Sequence, residues 1–194
     1  MNIRLYSLLI ALIFPTFAHA AECPTEKTAK NGFILGNDAA VSEFRPARGS
    51  LVSITTTFGG SNKQIVYSFD GIFDLYRVDR QTRSGMHPLS DLSKIVLLKK
   101  GDHRVIDFVP FDPERSADQW ALELTVMKRE TMDLGQCKYD VLRVKQETKR
   151  NGATVGTLSF LYSPDLHATL AKIYDEGKST EEVSGYDYIE TLTQ

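Results

Sequence analysis

The sequence has little cysteine, no marked excess of either charge, and no long apolar run beyond its first residues. It holds 23 lysines and arginines against 25 aspartates and glutamates, which gives a net charge of −2. Non-specific binding of nucleic acid needs a strong basic excess, so we expect no nucleic-acid partner. No later segment approaches the roughly 20 apolar residues of a membrane-spanning helix, so we also expect no transmembrane anchor in the mature chain.

The usual motifs of catalytic and metal sites are missing as well. The chain has no Gly-x-Ser-x-Gly elbow, no His-Glu-x-x-His pair and no Cys-x-x-Cys pair. His87, His103 and His167 lie too far apart along the sequence to have the spacing of zinc ligands. We therefore expect no catalytic residue, no cofactor and no metal site, and the sequence favours a protein that is not an enzyme.

The first twenty residues have the three parts of a secretory signal peptide. Asn2 and Arg4 begin the segment, Leu5–Phe14 form a short apolar run, and Ala18-His19-Ala20 supplies the small residues of a peptidase site. The apolar run is too short to span a bilayer. We expect cleavage after Ala20 and a periplasmic or secreted protein, whose residues 21–194 suit a single domain.

Cys23 and Cys137 are the two cysteines of the sequence. Two lone cysteines in an oxidising compartment usually pair, so the sequence predicts a structural disulfide between the mature N-terminus and the middle of the chain. A redox-active pair is the alternative, although the close spacing typical of such pairs is absent.

Apolar residues alternate with a period of two along most of the mature chain, which indicates β-strands. A helical turn within 90–97 and a short helix over 166–175 are weaker alternatives for two of the segments. The predicted strands are Leu51–Phe58, Gln64–Phe69, Ile72–Val78, Lys94–Lys99, Arg104–Val109, Gln119–Lys128, Tyr139–Lys149, Thr154–Tyr162, His167–Tyr174 and Val183–Leu192.

Short turn signals connect these strands. Asn151-Gly152 is a strong hairpin signal, Lys100-Gly101-Asp102 is a plausible one, and Asp70-Gly71 is either a bulge or a tight turn. Eight to ten strands joined by short turns form a meander, and twisted sheets of that size curl. The expected fold is therefore all-β and mainly antiparallel: a single curved meander sheet that forms a barrel or half-barrel, with little helix.

One face of the strand that begins at Trp120 is continuously apolar, and aromatic side chains recur on a later strand. In a packed sheet these residues form core, whereas in a curled sheet the same inward row lines an apolar cavity. The candidate ligand-lining residues are Trp120, Leu122, Leu124, Phe160 and Tyr162.

Two segments in the second half of the chain carry a family resemblance. The stretch 159–166, Ser-Phe-Leu-Tyr-Ser-Pro-Asp-Leu, follows the strand sequence 139–144, Tyr-Asp-Val-Leu-Arg-Val. Together they resemble the C-terminal half of uncharacterised β-rich periplasmic proteins that are similar in build to the lipoprotein-carrier half-barrel. The resemblance covers about a third of the chain. It implies the curled fold and transfers no functional residue.

Three functions follow as hypotheses. The first is an exported, soluble, non-enzymatic envelope protein whose partner is a lipid or other apolar or amphipathic ligand, or another envelope protein, bound on the curved sheet. The second is a periplasmic enzyme with a carboxylate-based site that the sequence does not reveal. The third is a purely structural or host-facing secreted protein.

The signal peptide gives the first testable prediction. N-terminal sequencing of the exported protein should return Ala21 as the first residue, because the peptidase cleaves after the small residue Ala20. Recovery of Met1 at the N-terminus of exported material would contradict the prediction.

Overall fold

A computed structural model describes residues 22–80, 82–112, 114–115 and 117–192. The predicted signal peptide lies outside these residues. Within them the chain forms a single antiparallel sheet of thirteen strands, which confirms the predicted all-β fold class. The strands are β1 (Phe33–Gly36), β2 (Ala40–Pro46), β3 (Leu51–Phe58), β4 (Asn62–Phe69), β5 (Phe73–Asp79), β6 (Thr82–Pro88), β7 (His103–Pro110), β8 (Trp120–Leu134), β9 (Cys137–Arg150), β10 (Ala153–Ser163), β11 (Ala168–Tyr174), β12 (Glu182–Gly185) and β13 (Tyr188–Thr191).

Strands that follow one another in sequence are neighbours in the sheet from β1 to β12, so the predicted meander is confirmed. The final strand departs from this order, because β13 pairs with β1 at the opposite edge. The sharp turn at Asn151-Gly152 has both residues in the left-handed region, with φ of 50° and 82°. This is the geometry that a two-residue hairpin between twisted strands requires.

The sheet curls because, in two segments of the chain, successive residues pair with different neighbouring strands. The first half of β6 pairs with β5, whereas Met86–Pro88 pair with β7. Similarly, β12 pairs with β11 and β13 pairs with β1, with only Tyr186 and Asp187 between them. Among the described strands no ladder joins β12 to β1 or β13, so the sheet is curled without being closed, as in a half-barrel.

Two predicted strands were wrong in detail. Lys94–Lys99 is not a strand, because a 3₁₀-helix occupies Leu92–Ile95. The Asp91 side chain caps this helix by accepting a hydrogen bond of 2.9 Å from the Ser93 N–H. The side chains of Leu92, Ile95 and Leu98, which are three residues apart, are buried.

The predicted strand Val183–Leu192 is two strands, since the chain changes partner at residues 186 and 187. The preference for a strand over a helix near residue 170 is confirmed by β11. Asp70-Gly71 lies in the tight turn between β4 and β5. Strands β1, β2 and β6 were not predicted, and neither was the one-turn helix α1 (Glu26–Ala29).

Two hydrophobic clusters form the core. The first gathers side chains from β5, β7, β8, β9, β10 and the 3₁₀-helix, with Phe73 and Leu124 fully buried. The second joins β1, β2 and β3 to the far ends of β8 and β9 and to β11, with Leu35 and Leu170 fully buried. Each cluster draws on several strands of the curl, so both resist its opening.

The predicted disulfide is confirmed: Cys23 is bonded to Cys137, with the two Cα atoms 5.6 Å apart. It fixes the segment before α1 to the start of β9, inside the second hydrophobic cluster. The Tyr139 hydroxyl donates a hydrogen bond of 3.0 Å to the Pro24 carbonyl beside it. Burial raises the pKa of Tyr139 to about 12, so this donor keeps its proton.

Replacing both cysteines, as Cys23→Ala with Cys137→Ala, should destabilise the protein substantially. The chain-entropy model gives about 4–5 kcal/mol for a crosslink between residues 114 apart, and native strain lowers this. Urea unfolding measures the loss. Tyr139→Phe is the matched control, since it removes one neighbouring hydrogen bond, worth about 1 kcal/mol, and keeps the crosslink. An unchanged urea midpoint in the double variant would contradict the expectation.

Candidate functional site

A cavity of about 410 Å³ lies inside the curl of the sheet. Strands β2 to β12 supply its wall, together with Tyr186 of the link between β12 and β13. Its volume falls in the range of sites that hold small organic molecules. The cavity is therefore the candidate functional site.

β7, β8 and β10 form an apolar wall, which Gln146 and Thr148 of the intervening strand β9 interrupt. Phe108, Leu122, Leu158 and Phe160 line it, and all except Leu158 are buried. The Phe108 ring packs edge-on against Phe73, with 6.1 Å between the ring centroids. Since Phe73 is fully buried, this contact fixes the apolar wall to the first hydrophobic cluster.

The wall formed by β2, β3 and the link carries a chain of hydroxyls among the apolar side chains Ala40, Phe44, Ile54 and Phe58. The Tyr186 hydroxyl donates a hydrogen bond of 2.9 Å to the Ser42 hydroxyl, and the Ser42 and Thr56 hydroxyls share a hydrogen bond of 2.8 Å. Burial raises the pKa of Tyr186, so its hydroxyl remains a donor. The chain of three hydroxyls satisfies polar groups that would otherwise be costly to bury.

Three charged side chains among the described residues line the cavity, and their charges do not cancel. The Arg77 guanidinium donates to the Asp74 carboxylate, with 2.9 Å between Nη2 and Oδ2, so these two charges cancel. Lys172 lies on β11, opposite Phe160 of β10 and Ser184 of β12. In the part of the chain that the structure describes, no carboxylate lies within 4 Å of its ammonium group.

The five predicted ligand-lining residues lie around the apolar wall. Leu122 and Phe160 line the cavity itself. Leu124 and Tyr162 belong to the buried hydrophobic cluster behind it. Trp120 packs against the lining residue Phe108 with 6.0 Å between ring centroids. Its indole N–H donates to the Arg115 carbonyl.

A second cavity, of about 220 Å³, opens between α1, the turn before β3 and the turn between β10 and β11. Asp70 and His167 are among its lining residues. Both have left-handed backbones, with φ of 56° and 50°. Gly71 lies so close to the second turn that a Cβ there would come within 2.1 Å of the His167 carbonyl oxygen.

The Asp70 carboxylate is buried and holds the two turns together. The Tyr162 hydroxyl donates to its Oδ2 at 2.7 Å, and His167 Nδ1 lies 2.5 Å from its Oδ1. Burial and the Asp70 charge raise the pKa of Tyr162, so its hydroxyl stays protonated and donates. The hydrogen bond to Asp70 likewise raises the pKa of His167, against the opposing effect of partial burial.

No group of three histidine, cysteine, aspartate or glutamate side chains within the described residues could hold a metal ion. None of the helices that the structure describes is long and apolar enough to cross a membrane.

Comparison with known proteins adds a fold neighbour. Neither a protein-family model nor a curated protein sequence matches the chain. Among solved structures, the chain is similar to the hypothetical lipoprotein YmcC of Escherichia coli K12, with a TM-score of 0.52. The match covers 84% of this chain and 87% of YmcC at 8% sequence identity. At that identity the similarity is one of fold alone.

Sequence reasoning missed the hydroxyl chain of Tyr186, Ser42 and Thr56, and it missed Lys172. Ser42 lies on β2, a strand that was not predicted, and Tyr186 lies where one strand was expected instead of two. Lys172 falls on a predicted strand, but the irregularity at Leu170 interrupts alternation along it, and its inward face is given by its pairing with Phe160.

The contact between His167 and Asp70 predicts a pH-dependent contribution to stability. The folded-state pKa of His167 lies above its ordinary value near 6.5. The stabilisation is therefore complete below about pH 6.5 and disappears as pH rises through the folded-state pKa. Because the imidazole is 47% exposed, we expect at most about 1 kcal/mol.

His167→Asn keeps a residue that tolerates the left-handed backbone and removes the titration. Urea unfolding of wild type and variant at pH 5.5, 7 and 8.5 should show an advantage for the wild type that shrinks with rising pH. A constant difference in unfolding free energy over this range would contradict the assignment.

Proposed function

We propose that this protein is an exported envelope protein that binds an apolar or amphipathic ligand inside its curled sheet. The observation that carries this proposal is the cavity of about 410 Å³, with apolar side chains on β7, β8 and β10 and a chain of three hydroxyls on β2, β3 and the link. Apolar surface removed from water supplies affinity, and a few fixed polar groups orient the ligand.

Two further observations support an envelope protein. Disulfides persist in oxidising compartments, and the bond between Cys23 and Cys137 suits such a location. The fold neighbour YmcC is described as a hypothetical lipoprotein, which is compatible with the same compartment.

An enzyme with a carboxylate-based site receives less support from the larger cavity. Asp74 is the single carboxylate among its described lining residues, and Arg77 already binds it. Two carboxyl groups in unlike environments are the usual arrangement for acid–base work on glycosides. That arrangement is not present in this cavity.

Ligand binding is testable through the single tryptophan of the sequence, Trp120. N-phenyl-1-naphthylamine, a neutral apolar probe, accepts excitation energy from an indole nearby. When the probe is titrated into the protein, excitation of Trp120 should give saturable emission from the probe. We expect energy transfer because the indole packs against Phe108, which lines the cavity.

A matched pair of variants on β2 locates the site. Ala40 lines the cavity, whereas Val41 is next in the strand and points to the opposite face. Ala40→Phe fills part of the cavity and should weaken probe binding at least about tenfold, a change of about 1.4 kcal/mol. Val41→Phe adds a comparable bulk outside and should leave binding unchanged. Equal binding by both variants, or no saturable binding to the wild type, would overturn the proposal.

A further inference from the structure

We infer that the ligand is an anionic single-chain amphiphile, a carboxylate or a phosphate on one apolar chain, and that Lys172 binds its head group. This inference rests on the proposed binding function and narrows it to a class of ligand. It is carried by the charge balance of the cavity and by the position of Lys172 relative to the mouth.

The charge balance selects the sign of the ligand. Asp74 and Arg77 neutralise each other through their hydrogen bond, which leaves the ammonium group of Lys172 as the uncompensated charge among the described lining residues. A cationic head group would add like charge to this interior. An anionic head group forms a charge-assisted hydrogen bond, the stronger class of hydrogen bond in proteins.

The position of Lys172 sets the orientation of the ligand. Phe58 and Tyr174 line the cavity and are 41% and 40% exposed, so they mark its mouth. Lys172 precedes Tyr174 by two residues on the same strand, which places it about 7 Å further in. The head group therefore lies just inside the mouth.

The neighbours of Lys172 separate a place for the head from a place for the chain. Ser184 lies opposite Lys172 on β12, and the hydroxyl chain of Tyr186, Ser42 and Thr56 continues that side of the wall. On the other side, Phe160 lies opposite Lys172 on β10 and begins the apolar wall. An amphiphile fits both sides with its head on the hydroxyls and its chain along Phe160 and Leu122.

Head-group selectivity tests the inference with one chain length throughout. Tetradecanoate, tetradecyl phosphate, tetradecanol and tetradecyltrimethylammonium compete with N-phenyl-1-naphthylamine at pH 8, each below its micelle concentration. The wild type should bind at least one of the two anions about tenfold more tightly than tetradecanol, and the cation most weakly. Whichever of the two anions binds more tightly identifies the preferred head group as carboxylate or phosphate.

Three variants assign the selectivity to Lys172. Lys172→Gln should abolish the preference for the anion while tetradecanol binds as before, and Lys172→Arg should retain the preference. Asp74→Asn releases Arg77 from its partner and should strengthen anion binding several-fold. Lys63→Gln is the control, because Lys63 is exposed on β4 and does not line the cavity.

The outcomes distinguish the inference from the proposed function. Saturable binding of tetradecanol without any preference for an anion overturns the inference and leaves the proposed function in place. An anion preference that persists in Lys172→Gln, folded as judged by its thermal transition, also overturns it. If no amphiphile displaces the probe and the probe itself does not bind, both fail.

Discussion

Two residues, Tyr186 and Asp187, carry the chain from one edge of the sheet to the other, and the interior of the protein depends on this link. Short hydrogen bonds join this link and the end of β12 to the end of β1 and the residue after it. The Asp187 N–H donates to the Gly36 carbonyl at 2.8 Å, and the Asn37 side-chain amide donates to the Gly185 carbonyl at 2.7 Å. The Tyr188 ring lies against Gly36, where a Cβ would come within 2.3 Å of it. With its edges held together, the sheet encloses space instead of packing flat.

The buried Asp70 carboxylate plays the complementary part at the opposite end of the strands. It follows β4 and binds Tyr162 and His167, so it joins the β4–β5 turn to the end of β10 and the turn before β11. Breaking such a contact leaves a buried charge without its partners, which costs more than the contact contributes. The curl is therefore fixed at both ends, and residues of both hydrophobic clusters line the cavity.

The sequence predicted the fold better than the site, and the reasons are physical. Alternation and turn residues are local signals, so the hairpin at Asn151-Gly152 and the strands on either side of it were read correctly. The change of partner at residues 186 and 187 depends on contacts with β1, about 150 residues earlier in the chain, and no local pattern encodes it. The apolar wall could be predicted in part, since Leu122 and Phe160 lie on strands with clear alternation. The hydroxyl chain needs residues that meet only when the sheet curls, as Ser42 and Tyr186 do, 144 positions apart.

The composition of the interior supports the proposed function more strongly than its volume does. An interior optimised for stability alone would be closely packed and apolar, because empty space and buried polar groups both cost free energy. Here, a lysine that has no carboxylate partner among the described residues and a chain of three hydroxyls face the same space as Phe160 and Leu122. The charged group favours contact with water, whereas the apolar side chains favour its exclusion. Under the proposed function, a molecule with one charged end and one apolar end would satisfy both kinds of side chain at once.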